Sequence, residues 1–110
     1  MKNIQLGDFE EIVLLSLGIL HCNAYGITIK DDIEDRTRRE VSVGALQVTL
    51  RRLETKGFLK SKRGESTVPR GGRPKLYFEI TAFGKKAIEI TRKTSNELWE
   101  SLPKIVLKLG

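Results

Sequence analysis

The sequence is poor in the residue types on which most catalytic and metal sites depend. Its 110 residues include one Cys, one His and one Trp. The single Cys22 cannot form an internal disulfide, which favours an intracellular, cytoplasmic protein, and we expect a buried or inert thiol rather than a redox sensor. His21 has no companion at ligand spacing, so the sequence predicts no metal site.

Catalytic motifs are missing too. The chain contains no phosphate-binding loop, no dinucleotide glycine fingerprint, no zincin pair and no paired-cysteine zinc motif. One His and one Cys provide no obvious nucleophile–base pair, although chemistry through Asp, Lys or Tyr stays open. We therefore expect neither an enzyme nor a bound cofactor.

Long hydrophobic runs are absent as well. The longest, from Ile12 to Leu20, is broken by Ser16 and Gly18, and it falls far short of the roughly 20 residues that span a membrane. The N-terminus turns acidic at once and has no small-residue cleavage site, which argues against a signal peptide. No membrane partner is predicted.

Charge, in contrast, is plentiful and unevenly distributed. Residues 1–35 carry two Lys and seven acidic residues, a net charge of −5. Residues 36–75 carry twelve Lys or Arg and three acidic residues, a net charge of +9, and residues 76–110 have a net charge of +2. The central segment is therefore expected to bind a polyanion, and from charge alone DNA, RNA and acidic lipid surfaces are all candidates.

The central basic segment contains a helix that we predict over residues 42–56. Ser42 is its expected N-cap, and Gly57 is the expected C′ residue in a left-handed conformation. The face opposite its apolar stripe is small at the N-terminal end and carries Arg51 and Arg52 behind it. Such a helix can enter a major groove, or it can be an ordinary amphipathic helix with a solvated basic face. The apolar stripe consists of Val43, Leu46, Leu50 and Leu53.

The residues before the central helix predict two more helices. The first begins near Phe9, with Asp8 as its N-cap, and runs to about His21. The second covers about Gly26 to Thr37, and its acidic face lacks the spacing of a calcium loop, so we expect that face to be solvated. A short basic turn joins this helix to the central one, which predicts a helix-turn-helix.

The residues after the central helix predict a β-hairpin over residues 58–80. Leu76, Phe78 and Ile80 alternate with polar residues and are expected to face inward. The turn-rich tip includes Gly72-Arg73-Pro74, which resembles the core of minor-groove AT-hook peptides, and a flexible loop before an edge strand is the alternative.

A final helix is predicted after the hairpin, capped by Thr81 and ended or kinked by Pro103. Helix, helix, basic helix, hairpin and helix is the order of a winged helix-turn-helix fold, which is mainly α with a small hairpin. We expect residues 1–80 to form that domain, and residues 81–110 to form a C-terminal dimerisation helix and tail.

Two apolar surfaces exceed what a small monomer can bury. The first helix is apolar nearly all round, and the last helix and tail continue to present apolar residues near the C-terminus. We therefore predict a homodimer. Its predicted interface residues are Phe9, Ile12, Leu15, Ile19, Ile90, Thr94, Leu98, Trp99 and Leu102.

Five short motifs occur in order along residues 6–90. They are Leu6-Gly7, Tyr25-Gly26, Ser42-x-Gly44-x-Leu46, Leu50-x-Arg52-Leu53-Glu54-x-x-Gly57 and Gly72-Arg73-Pro74-x-x-Tyr77-Phe78-x-Ile80-Thr81-x-x-Gly84. In this order and spacing they resemble the PadR family of transcriptional regulators. That family usually carries Tyr-Pro after the Leu of its recognition helix, where this chain has Gln47-Val48.

The chain looks like the short branch of that family, in which one long C-terminal helix supplies most of the dimer contacts. In multidrug-responsive repressors of that branch, Trp residues near the dimer centre sandwich flat aromatic ligands. The resemblance thus implies either a contact between Trp99 and a small aromatic effector, or a Trp99 that anchors the interface.

These observations predict a homodimeric DNA-binding transcriptional regulator, a repressor that reads a pseudo-palindromic operator in double-stranded DNA. The helix over residues 42–56 would enter the major groove, and the hairpin would act as the wing. An RNA-binding or ribosome-associated basic protein is the alternative, against which the low aromatic content argues. The predicted DNA-binding residues are Arg36, Arg38, Arg39, Ser42, Gly44, Ala45, Gln47, Val48, Thr49, Arg51, Arg52, Lys62, Arg63, Arg70, Arg73 and Lys75.

Overall fold

The computed structural model of the chain describes residues 4–64 and 75–110. Within them the chain forms five helices and one antiparallel hairpin, which confirms the predicted mainly α fold with a small β-hairpin. A single 3-10 turn over His21–Asn23 links the first two helices. The elements are α1 Asp8–Leu20, α2 Gly26–Thr37, α3 Val43–Thr55, β1 Leu59–Arg63, β2 Leu76–Ile80, α4 Ala82–Glu100 and α5 Lys104–Leu107.

The core forms where the first three helices meet the base of the hairpin. Each helix contributes an aliphatic stripe at helical spacing, and the strands close the core with one large side chain each. Burying such a side chain contributes roughly 1.5–3 kcal/mol relative to exposing it, so these stripes orient the helices. The central members are Val13, Leu14, Leu17, Ile29, Ile33, Leu46, Leu50, Leu53, Leu59 and Phe78.

Two local expectations about helix ends are corrected by the structure. Asp8 is the first residue of α1 and not its N-cap; Gly7 is the N-cap, and its N–H donates to Oε1 of Glu10 at 2.9 Å. Val43 is the first residue of α3 and is 60% exposed, because the helix begins at the molecular surface, before the turn that enters the core. The predicted caps Ser42 and Gly57 are confirmed, with φ +82° at Gly57.

The hairpin is held against the connection between α1 and α2. The N–H of Phe78 donates to the carbonyl oxygen of Ala24 at 2.8 Å, and the rings of Tyr25 and Tyr77 meet edge to face at 5.4 Å. Leu76 was expected to face inward but is 44% exposed, since it lies at the end of β2 that projects beyond the core, opposite Arg63. The hairpin is thus fixed at its base and extends outward.

The first half of α4 packs on the domain, and its second half does not. Thr81 caps it as predicted, accepting from the N–H of Gly84 at 3.0 Å. Thr91 accepts from the N–H of Leu6 at 3.1 Å, which ties α4 to the chain before α1. Beyond this point most side chains are exposed, Thr94 being partly covered, and α4 ends three residues before Pro103. None of the helices in the described ranges is long and apolar enough to cross a membrane.

Candidate nucleic-acid interface

The turn between α2 and α3 is built by a carboxylate and an unusual arginine. Glu34 accepts from the N–H of Val41 at 2.9 Å and from Lys30 Nζ at 3.0 Å, and these two donors lower the pKa of its carboxyl. Arg38 ends α2 in the left-handed conformation, with φ 58°, where a residue other than Gly is uncommon. The turn therefore holds α3 at a set angle to α2 and directs Arg38 to the surface beside α3.

The first two turns of α3 present an uncharged outer surface, which we call the leading face: Val43, Gly44, Gln47 and Val48. All four residues are exposed, with Val48 at 50%. Its neighbours Ser42 and Ala45 are also exposed, and the Ser42 hydroxyl accepts from the N–H of Ala45 at 3.2 Å. Thr49 is only 5% exposed and faces the core, so the prediction that it approaches a base is wrong.

The second half of α3 carries the cations. A shallow depression of about 320 Å³ is lined by Val48, Arg51, Arg52, Thr55 and Lys56, so that three cations and one hydroxyl surround it. Such a surface suits a phosphate group, which accepts from several donors at once. In the described part of the chain, Arg51 has no carboxylate partner.

Glu10 forms ion pairs with two of these cations, Lys56 and Arg52. Its Oε2 lies 3.1 Å from Lys56 Nζ and 3.9 Å from Arg52 Nη1, while the carboxylate itself is nearly buried. Burial raises the pKa of Glu10, but the N–H of Gly7 and the two cations outweigh it and hold the pKa below the ordinary value of 4.5. An ionised Glu10 therefore orients Lys56 and Arg52, which face solvent with about half of their side chains.

Two more predicted DNA contacts lie in ion pairs. Arg36 Nε is 2.8 Å from Asp32 Oδ1 within α2, and Arg39 Nη2 is 3.0 Å from Asp8 Oδ2. Both arginines keep about half of their side-chain surface exposed. Since exposed ion pairs contribute little net energy, a phosphate can compete for these guanidinium groups.

The hairpin contributes three more of the predicted cations. Lys62, Arg63 and Lys75 are exposed near its outer end, and Lys75 Nζ lies 4.3 Å from the centroid of the Tyr25 ring, as in a cation–π contact. The predicted contacts Arg70 and Arg73, and the Gly72-Arg73-Pro74 motif, fall outside the described residues.

The predicted dimer residues divide into two groups. Phe9, Ile12, Ile90, Thr94 and Leu102 are partly covered by the chain itself. The others are exposed, which leaves an apolar surface on the outer side of α1 and on the distal part of α4: Leu15, Ile19, Leu98 and Trp99. Cys22, expected to be buried or inert, is exposed in the turn after α1. The described residues hold no cluster of three or more His, Cys, Asp or Glu side chains for a metal.

Sequence reasoning missed three residues of this interface. Glu34 belongs to the acidic face of α2 that we expected to be solvated, Glu10 was given no role in the interface, and Val43 was placed in the apolar core stripe. The separation of the partners along the chain explains why Glu10 was missed, because Glu10 and Lys56 are 46 positions apart. Glu34 and Val41 are only 7 positions apart, and the turn between them brings the two groups together. A Gly-Asp-x-Glu start of a helix signals a Glu10 that reaches back to the cap, but it gives no sign of Lys56.

Comparisons with known proteins agree with this geometry. Residues 16–90 match the transcriptional regulator PadR-like family, which is more than half of the chain. No curated protein matches the chain significantly. A PadR-like transcription factor from Bacteroides fragilis is similar in structure, with 28% identity, TM-score 0.70 and 84% of each chain covered.

Two further solved structures share the fold. A transcriptional regulator from Clostridium thermocellum has 29% identity and TM-score 0.64, with 92% of this chain and 89% of that chain covered. A PadR family transcription regulator from Clostridium difficile R20291 has 20% identity and TM-score 0.71, with 89% and 98% covered. The helix-turn-helix, the hairpin and the family match lead to one conclusion: the chain belongs to the PadR-like family of transcriptional regulators.

Proposed function

We propose that the chain is a homodimeric, sequence-specific DNA-binding repressor whose α3 enters the major groove. The observation that carries this proposal is the division of one exposed helix surface into an uncharged leading face and a cationic trailing half. A slim leading face suits an approach to base edges, and the cations behind it suit phosphate oxygens. The leucines that hold α3 in the core lie on its opposite side, so binding leaves the core undisturbed.

The remaining cations would set the register of α3 on the duplex. Arg38 precedes α3 in the turn, while Lys62, Arg63 and Lys75 lie on the hairpin that would act as the wing. A wing of this charge suits the backbone and the narrow minor groove that flank the major-groove site. Arg70 and Arg73, which lie outside the described residues, are proposed to add to this contact.

We also propose that residues 81–110 join two copies of the domain formed by residues 1–80. The exposed apolar surface at Leu98 and Trp99, and that at Leu15 and Ile19, supports this, because monomers rarely leave such surfaces uncovered. A twofold pair would present two copies of α3 to successive major grooves about 34–36 Å apart, on a pseudo-palindromic operator. Trp99 would anchor that interface or contact a flat aromatic effector within it.

RNA binding is the rival function, and the aromatic residues do not favour it. Tyr25 and Tyr77 pack on each other, and Phe58 and Phe83 meet with ring centroids 5.1 Å apart. These rings are engaged with one another instead of forming a row on which unstacked bases can lie.

The test compares binding of the full chain to random-sequence duplex DNA and to hairpin RNA of equal length. Fluorescence anisotropy over a salt series gives the slope of log affinity against log salt, which counts the phosphate contacts. We expect duplex DNA to bind more tightly, and Arg51→Ala to reduce the magnitude of the slope by about one.

The matched control is Arg92→Ala, which removes an exposed arginine from α4, where it lies 3.8 Å from Glu11. This variant should keep the wild-type slope. Tighter binding of RNA, or an Arg51→Ala variant that binds as the wild type does, contradicts the placement of α3 in the groove.

A further inference from the structure

One line of residues runs along the outer side of α3, directly opposite the buried leucines. Gly44, Val48, Arg51 and Thr55 follow each other at steps of four, three and four, so they project in nearly the same direction. The line begins with no side chain, continues with an aliphatic one, and reaches its first charge only at Arg51. The N-terminal half of this line, Gly44 and Val48, is therefore uncharged, and the charge lies in its C-terminal half.

Gly44 is not required by the packing of the chain. A Cβ atom at this position would have Ser42 Oγ as its nearest neighbour, at 3.7 Å, which is an ordinary van der Waals distance. Its backbone is helical and needs no positive φ. Since Gly lowers helix stability relative to Ala, neither packing nor helix stability explains the absence of a side chain at Gly44.

Val48 likewise goes against the residue preferences of an exposed helix position. It is β-branched, it is half exposed, and it lies in the interior of α3, where a straight polar side chain would suit a solvated helix better. Val43 at the start of the same face is exposed to a similar degree. Residues that break a local rule without a gain in packing are expected at functional sites.

We infer that Val48 contacts the C5-methyl group of a thymine, across the gap left by Gly44, so that the operator half-site carries an A·T pair at this position. The inference rests on the proposed docking of α3 in the major groove, where the thymine methyl is the apolar group that base edges present. Gln47, beside Val48 on the leading face, suits the N6 and N7 atoms of a neighbouring adenine. Guanine would call for Arg or Lys, which the leading face does not have.

The first step of the test is selection of binding sites from a random duplex library by the full chain. We expect each half-site to contain an A·T pair whose replacement by G·C lowers the affinity. In the second step, deoxyuridine replaces that thymine, which removes the methyl group and keeps every hydrogen-bonding atom. The affinity should fall about fourfold, the equivalent of one buried CH₂ group.

The variant Val48→Ala tests whether Val48 is the residue that contacts the thymine methyl group. It should bind the thymine site about fourfold more weakly than wild type, and it should bind the thymine and deoxyuridine sites equally well. The matched control is Ile27→Ala, which truncates an exposed β-branched residue of α2, outside the proposed DNA and dimer contacts; it should keep the full discrimination.

The outcomes separate this inference from the proposed function. A selected site with G·C pairs at every position that affects affinity overturns the thymine contact, and so does a Val48→Ala variant that still discriminates against deoxyuridine. If duplex DNA binds with a steep salt dependence but without sequence preference, the thymine contact is wrong and DNA binding stands. If duplex DNA does not bind at all, both are wrong.

Discussion

The helices α3 and α4 begin alike and are used in opposite ways. Each follows a hydroxyl N-cap, Ser42 or Thr81, and each has a glycine in its first turn. A Cβ at Gly44 would meet nothing closer than 3.7 Å, whereas a Cβ at Gly84 would lie 2.0 Å from the carbonyl oxygen of Phe58. A glycine in the first turn therefore leaves open space at the surface of α3. In α4, the glycine allows the helix to pack closely against the backbone of Phe58.

The apolar stripes of the two helices differ in the same manner. Leu46, Leu50 and Leu53 of α3 are buried within the chain, while Leu98 and Trp99 of α4 are 67% and 64% exposed. The exposed surface of α3 therefore combines an uncharged leading face with cations, which supports the proposed contact with DNA. The exposed surface of distal α4 is apolar, which supports the proposed contact with a second copy. Amphipathic pattern alone does not distinguish these two uses, because it reports only that a helix has two different faces.

Removing a leucine from the buried stripe of α3 should have the largest effect. Leu50 is 1% exposed, and Leu50→Ala should lower the free energy of unfolding by about 2–5 kcal/mol, since it loses burial and leaves a cavity. Chemical denaturation measures the change, with Val48→Ala on the outer side of the same helix as the control. Similar losses in the two variants would mean that the buried and exposed sides of α3 are wrongly assigned.

Gly84→Ala should be the next most damaging change. The new methyl group meets the backbone of Phe58, which is also held by the N–H of Thr81 at 3.1 Å, so that α4 or the start of β1 must shift. We expect a loss of about 3 kcal/mol, at the upper end of the range for overpacking. Gly18→Ala is the matched control, because a Cβ at Gly18 has no neighbour within 4 Å; a stable Gly84→Ala protein would show that the contact relaxes easily.

Trp99→Ala should weaken the proposed dimer and leave the folded monomer intact. A buried aromatic anchor commonly contributes about 2 kcal/mol to an interface, which corresponds to a roughly thirtyfold higher dissociation constant. Sedimentation equilibrium measures this constant. The control is Ile27→Ala, which truncates an equally exposed residue on α2, outside the predicted interface; an unchanged constant for Trp99→Ala would exclude Trp99 from the dimer contact.

Glu10→Gln should remove a pH-dependent share of the stability. Because the folded-state pKa of Glu10 lies below 4.5, its contribution is complete above that pH and disappears as the pH falls through the folded-state pKa. We expect a loss of about 1 kcal/mol at pH 7, which becomes smaller as the pH falls below 4.5 and disappears once the pH lies below the folded-state pKa. Unfolding of both proteins at a series of pH values measures the difference, and a difference that grows on acidification would contradict this assignment.

Gly44→Ala should have the smallest effect on stability and the opposite sign. A side chain fits at this position, so the variant should gain about 0.4–1 kcal/mol by reducing the freedom of the unfolded chain. The same methyl group should weaken binding to the selected operator, because it fills the gap in front of Val48. Thermal unfolding and anisotropy, measured on one preparation, test both effects, and a more stable variant with unchanged affinity would remove Gly44 from the interface.

Most of the secondary structure could be predicted from the sequence. The bounds of α2, the two hydroxyl caps and the left-handed Gly57 follow from signals that lie within one helical turn. Pro103 was expected to end or to kink the last helix, and the structure shows that α4 ends before it. The predicted family resemblance is confirmed as well, since its motifs are short and local. The exposure of Val43, Leu76 and Thr49 was predicted wrongly, because periodicity gives the direction of a side chain relative to its own helix or strand but not the extent of the core.

The sequence by itself determined which residues form the main helices and strands, where α2, α3 and α4 start, and that the basic charge lies in residues 36–75. Only the tertiary structure decided that Glu10 pairs with Lys56, and that a Cβ atom has space at Gly44 but not at Gly84. The physical reason is how far apart along the chain the interacting residues lie. Capping and periodicity act between residues a few positions apart, whereas ion pairs and packing contacts join residues that only the folded chain brings together.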